Sequence, residues 1–139
     1  YCSRDAWFCI QEINIGMMAD VGTMNRMPKQ LPEAVMRELA YTGDRLGAER
    51  ALATGLVNAV LPDADTLLAH ARDLARQIAA KSPLSTRMGK HTMNVIEDMS
   101  LRDGYRYEQD MTAQIGKSAD AKEAQAAFRE KRAPVFTGR

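Results

Sequence analysis

Neither sign of charge dominates this chain: 19 Lys and Arg stand against 18 Asp and Glu in 139 residues. Near-neutrality removes the sequence-level case for a nucleic-acid or anionic-membrane partner, because neutralising phosphate takes an excess of basic side chains. Long apolar runs are missing as well. The run near the start, Ala6 to Ile10, falls far short of the roughly 20 residues that cross a bilayer, so no membrane span is expected. Cysteine is scarce: Cys2 and Cys9 lie seven residues apart, in neither CxxC nor metal-ligand spacing. Two reduced, partly buried thiols are expected, with a disulfide as the alternative in an oxidising compartment. The first residues show no export signal and the last no peroxisomal tripeptide or lipidation box, which makes a cytoplasmic setting the expectation.

Several catalytic signatures are absent too. Ser82, Ser85 and Ser100 lack a G-x-S-x-G context, which leaves a serine nucleophile unsupported. Gly16, Gly22 and Gly43 form neither a P-loop nor a dinucleotide fingerprint, so a kinase or nucleotide-dependent oxidoreductase is disfavoured. No metal, flavin or nicotinamide site is expected. His70 and His91, the only histidines, fall in predicted helices without an acid or cysteine partner at ligand spacing, and read as structural.

What is present is a 45% hydrophobic chain, too apolar for disorder and of a length that suits one domain or part of one. Ala-Trp-Phe-Cys-Ile over residues 6–10 reads as a buried strand. A loop with two glycines, Gly16 to Gly22, follows, and a helix can start at about Thr23. Pro28 and Pro32 bracket a bend. Pro32-Glu33 suits the first turn of a helix running to Tyr41 and stopping at Thr42-Gly43. Ala48 to Thr54 reads as a short helix ended by Gly55, and Leu56 to Leu61 as a small strand. Beyond this point the pattern turns helical. Leu67, Leu68, Ala71, Leu74, Ala75 and Ile78 recur at helical spacing. Ser82-Pro83 starts a second helix with Leu84, Met88, His91, Val95 and Met99 on one stripe. Two more follow, at about 100–115 and, behind a Ser118 cap, 118–132. The order predicts an α/β core with helices packed on it or on a neighbouring subunit.

Two acids stand out. Glu12 follows the apolar strand and precedes a glycine turn; desolvation of a carboxylate facing an apolar pocket penalises its ionised form and suits it to proton transfer. A surface glutamate beside a strand is the alternative. Asp20 lies eight residues on, between Gly16 and Gly22. The loop can bring both acids to the rim of one pocket, and two carboxylates held apart can remove a proton at one carbon and deliver one at another. A plain helix N-cap is the alternative for Asp20. The cluster Arg129-Glu130-Lys131-Arg132 fits either a phosphate contact or cations favoured by the dipole at a helix end.

Four ordered segments carry a resemblance: Trp7-Phe-Cys-Ile-Gln-Glu-Ile-Asn-Ile-Gly16, Thr23-Met-Asn-Arg-Met-Pro28, Tyr41 through Asn58, and Phe128-Arg-Glu-Lys-Arg-Ala-Pro-Val-Phe136. Together they resemble the enoyl-CoA hydratase/isomerase (crotonase) family over essentially the whole chain. The resemblance implies an α/β fold, the ClpP-like ββα spiral, represented by its C-terminal half and mostly helical here. Residues 1–62 would be the second half of the core with a catalytic loop, and residues 63–139 a helical oligomerisation region, with a homotrimer or dimer of trimers as the assembly.

The chemistry implied is stabilisation of a thioester enolate by two backbone amides while carboxylates move protons. The acyl-CoA thioester is the substrate, coenzyme A enters as part of it, and the oxyanion amides and a further acid would lie upstream. Glu12 matches the family's second catalytic glutamate. Where ordinary hydratases carry small residues in the following loop, this chain has Ala19-Asp20-Val21-Gly22-Thr23. That phrase resembles the isomerases that convert 3,5-dienoyl-CoA to 2,4-dienoyl-CoA, with Glu12 and Asp20 as the two proton carriers. A 2-enoyl-CoA hydratase, and an incomplete chain serving only oligomerisation, are the alternatives. Phe128 and Lys131 resemble a pair that meets the adenine end of CoA bound by a neighbouring subunit, an aromatic face for the base and a cation for phosphate.

Overall fold

The computed structural model describes residues 1–139. They form two compact units, Tyr1–Arg72 and Asp73–Arg139.

In the first unit, strand pairing is minimal. β1 (Cys2–Ser3) pairs in parallel with β4 (Val60–Leu61), and β2 (Trp7–Phe8) pairs antiparallel with β3 (Leu46–Gly47). The expected buried strand over residues 6–10 shrinks to Trp7–Phe8. Trp7 is half exposed, its ring covered by the Arg45 guanidinium at 3.9 Å, while Ile10 is the residue that enters the core. The strand expected from Leu56 shrinks in the same way. The amides of Leu56 and Val57 turn back to the Ala51 carbonyl at 2.9 and 3.3 Å, leaving only Val60 and Leu61 to pair.

The helices follow the sequence more closely. α1 (Thr23–Arg26) is a single turn, followed by a 3₁₀ turn at Met27–Lys29 around Pro28, whose missing amide hydrogen cannot extend an α-helical ladder. α2 (Glu33–Thr42) begins after Pro32 and ends at Gly43. α3 (Ala48–Ala53) is tied to α2 by a two-point ion pair, Arg50 to Glu38 at 2.8 and 2.6 Å. Leu46 and Ala51 are fully enclosed, and Ile10, Leu31, Met36, Leu39 and Val57 complete the core around them. A residue in such a core brings about 1.5–3 kcal/mol of hydrophobic stabilisation when it is a large aliphatic. Position 46 is therefore the anchor against which the β2 end, and the turn that follows it, are set.

α4 (Ala64–Ala79) crosses the division in the chain. The second unit contains α5 (Pro83–Ile96), α6 (Leu101–Ile115) and α7 (Ala119–Glu130). Each starts at a serine whose hydroxyl accepts a first-turn amide: Ser82 from Ser85, Ser100 from Asp103 and Ser118 from Ala121. Such a cap satisfies an amide that the helix itself cannot. Met99 lies beyond the end of α5, so the apolar stripe expected to include it stops at Val95. α5 packs on α6 where Gly104 is buried, and a Cβ there would meet Ile96 at 3.4 Å, van der Waals contact.

The residues after α7 fold back along it. Asp120 is buried and accepts from the Ser82 hydroxyl at 2.7 Å, the Thr137 amide at 2.7 Å and the Gly138 amide at 3.1 Å. Burial alone works against its ionised form, but the hydrogen bonds from Ser82, Thr137 and Gly138 together outweigh it and hold the carboxyl below its ordinary value. One turn along, Glu123 receives the Arg132 guanidinium and the Val135 amide.

Candidate active site

Glu12 sits on a 3₁₀ turn, Gln11–Ile15, that directly follows the Ile10 anchor. Gly16 closes the turn in the left-handed conformation, φ 76°, and the Met17 amide returns to the Glu12 carbonyl at 2.9 Å. A residue without a Cβ is the natural occupant there. The glutamate is half-buried and lines a cavity of about 220 Å³ with Phe8, Cys9, Ile10, Thr23, Met27, Leu39, Leu46 and Leu56. It is the one charged group in that wall; Cys9 and Thr23 supply the other polar side chains.

The turn is held from outside. The Cys9 thiol and the Asn14 amide both donate to the Gly43 carbonyl, at 3.0 and 3.2 Å. Cys2 and Cys9 are both free thiols, Cys2 buried and Cys9 half-buried. Cys9, Asn14 and Gly43 escaped the sequence reading as a group. Their only signals were the helix stop at Gly43 and the position of Cys9 and Asn14 on either side of Glu12, since contacts across 29 and 34 residues leave no local periodicity.

Asp20 is exposed and does not line this cavity. Its neighbour Ala19 is buried, which fixes the backbone on one side. The capping role considered for Asp20 does not hold: Gly22 is the N-cap of α1, φ 93°, and no side chain caps that helix. Asp20 is therefore an exposed acid that does not cap the helix that follows it. The structure does not gather Glu12 and Asp20 into one cavity wall within this chain.

Phe128 and Lys131 stand at the end of α7. The Phe128 ring is 85% exposed, far more than packing would leave it. Lys131 is exposed and is the only non-glycine residue with positive φ, 55°, where it ends the helix. The histidines lie elsewhere: His70 packs against the Tyr1 ring at 4.7 Å between centroids, and His91 shares a hydrogen bond with the Tyr107 hydroxyl at 3.0 Å. No group of three or more potential metal ligands is present. No helix is long and apolar enough to cross a membrane.

Residues 1–139 match the family profile described as Enoyl-CoA hydratase/isomerase. The chain is 37% identical over 142 residues to a carnitinyl-CoA dehydratase of Salmonella typhi, covering 99% of this chain and 54% of that protein. It is 41% identical over 135 residues to a mitochondrial Delta(3,5)-Delta(2,4)-dienoyl-CoA isomerase of Dictyostelium discoideum, covering 97% of this chain and 46% of that protein. Its backbone superimposes on the crystal structure of an enoyl-CoA hydratase from Mycobacterium tuberculosis with a TM-score of 0.91 at 36% identity, covering 99% of this chain and 54% of that one. The chain spans about half the length of the relatives it matches.

Proposed function

Because the chain belongs to the enoyl-CoA hydratase/isomerase family and has that family's crotonase fold, we propose that it carries part of the site of an acyl-CoA isomerase that shifts the double bonds of a 3,5-dienoyl thioester to the 2,4 positions. Glu12 and Asp20 are the proton carriers in this reading. One proton leaves C2, the electron pair spreads through the trienolate between the thioester oxygen and C6, and one proton is delivered at C6. Substrate and product have the same composition. Two acids on opposite arms of one loop suit two reacting carbons four apart.

The observation that carries the proposal is Glu12, a half-buried acid on a braced turn facing an apolar cavity. Asp20, an acid with neither capping duty nor burial, supports the isomerase form, as does the 41% identity to a dienoyl-CoA isomerase. The second reading is a hydratase or dehydratase using Glu12 with an acid elsewhere. It is favoured by the separation of Asp20 from the cavity wall and by the similarity to a carnitinyl-CoA dehydratase and an enoyl-CoA hydratase. Phe128 and Lys131 are proposed as contacts for the adenine end of CoA held by a neighbouring subunit of a trimer; the exposure of the Phe128 ring supports this.

A spectrophotometric assay of the complete gene product separates the two reactions. The isomerase reading predicts a new absorbance from a conjugated 2,4-dienoyl thioester when 3,5-dienoyl-CoA is added. Loss of crotonyl-CoA absorbance, with no change in the dienoyl substrate, would establish the hydratase reading in its place.

A further inference from the structure

The Glu12 turn is gripped on both sides at a single point. Cys9 precedes Glu12 by three residues and Asn14 follows it by two, and both side chains donate to the carbonyl of Gly43. The Gln11 side-chain oxygen lies between them, accepting from the same two groups at 3.4 and 3.3 Å. The acceptor is itself immobilised. Gly43 is buried, closes α2 in the left-handed conformation with φ 65°, and its amide returns to the Leu39 carbonyl at 3.0 Å. α2 is in turn fastened to α3 through Glu38 and Arg50.

We propose that Asn14 and Cys9 are positioning residues for Glu12, holding its turn in register with the end of α2 through the shared Gly43 carbonyl. The argument is geometric. A five-residue 3₁₀ turn has few internal hydrogen bonds and cannot fix a side chain by itself. Here the turn carries an acid whose reach into the cavity depends on the backbone beneath it. Two donors converging on one fixed acceptor, one on each side of the acid, remove the rocking motion that a single contact would leave. Misplacement of a reacting group by about 1 Å costs on the order of 100-fold in rate, so partial loosening of the clamp is expected to cost about tenfold.

The proposal rests on the reading of Glu12 as a proton carrier, and the test keeps the two apart. Steady-state kinetics of the complete gene product are measured for Asn14→Ala, Cys9→Ala, Cys9→Ser and Glu12→Gln. Asn14→Ala and Cys9→Ala should each lower kcat about tenfold with KM within about twofold, as expected when the acid is misplaced but the cavity is intact. Cys9→Ser, which keeps a donor, should return kcat to within about twofold of the parent. Amide hydrogen exchange gives a readout independent of turnover: the Met17 amide, bonded to the Glu12 carbonyl, should exchange about tenfold faster in Asn14→Ala while the α2 amides stay protected. Full kcat in both alanine variants, a serine variant as impaired as the alanine one, or unchanged Met17 exchange would overturn the clamp. Glu12→Gln should lose about 100-fold or more; full activity there would refute the role of Glu12 and not the clamp, which the exchange measurement still decides.

Discussion

A Cβ placed on Gly43 would stand 2.6 Å from the Asn14 side-chain amide, and the backbone there has φ 65°. Gly43→Ala therefore meets two penalties at once: left-handed strain of about 1–2 kcal/mol and a steric conflict worth roughly 1–3 kcal/mol. Urea unfolding should show a loss of about 2–5 kcal/mol. The same change in an Asn14→Ala background should recover the steric share, and an equal loss in both backgrounds would show that Asn14 is not the obstacle. At this scale the sequence disclosed candidate residues more readily than contacts. Glu12 stood out because it joins an apolar strand to a glycine turn. The Gly43 helix stop was equally plain, but the pairing of its carbonyl with Cys9 and Asn14 depends on tertiary placement that no short-range pattern records.

The helices were legible because each declares itself locally, by an apolar stripe, a serine cap or a glycine stop. α2 ends at Gly43, and α5, α6 and α7 begin behind Ser82, Ser100 and Ser118. The strands were legible only in part: Trp7–Phe8 and Val60–Leu61 lie within the two runs read as strands, at a fraction of their length, while Cys2–Ser3 and Leu46–Gly47 left no signal. With two residues apiece they owe their existence to partners far along the chain, Cys2 with Val60 and Phe8 with Leu46, and alternation over two residues is no signal. The return of the chain along α7 was equally hidden, since it depends on carboxylates of the helix reaching residues beyond its end.

That return carries a pH dependence. The Arg132 guanidinium, foremost, and the Val135 amide hold Glu123 down from its ordinary 4.5 to about 2. Asp120 is also lowered. A carboxyl whose folded value lies below its unfolded one binds fewer protons when folded. Its stabilisation is complete above about pH 4.5 and fades as pH falls toward about 2. Thermal unfolding followed from pH 7 to pH 2 should show the midpoint falling through that window, with a shallower fall in Glu123→Gln. An identical pH slope in the variant would separate Glu123 from the effect. The pair is partly exposed, so salt should weaken its share.

For the whole molecule, the family is settled by agreement across all 139 residues, and the fold by superposition at a TM-score of 0.91. The relatives carry different names, a carnitinyl-CoA dehydratase and a Delta(3,5)-Delta(2,4)-dienoyl-CoA isomerase, and the chain spans about half their length. Glu12 lines a cavity formed within the first unit, between Phe8 and Leu56, and Asp20 stands outside it on the next arm of the loop. The proposed isomerisation needs both acids, whereas hydration needs only Glu12 among the two. The measurement that tests this most directly is the rate of 2,4-dienoyl thioester formation from 3,5-dienoyl-CoA by the complete gene product carrying Asp20→Asn, beside Glu12→Gln and the parent. The proposal predicts that each variant loses about 100-fold in kcat with KM within about threefold. Turnover by Asp20→Asn within about twofold of the parent would contradict it.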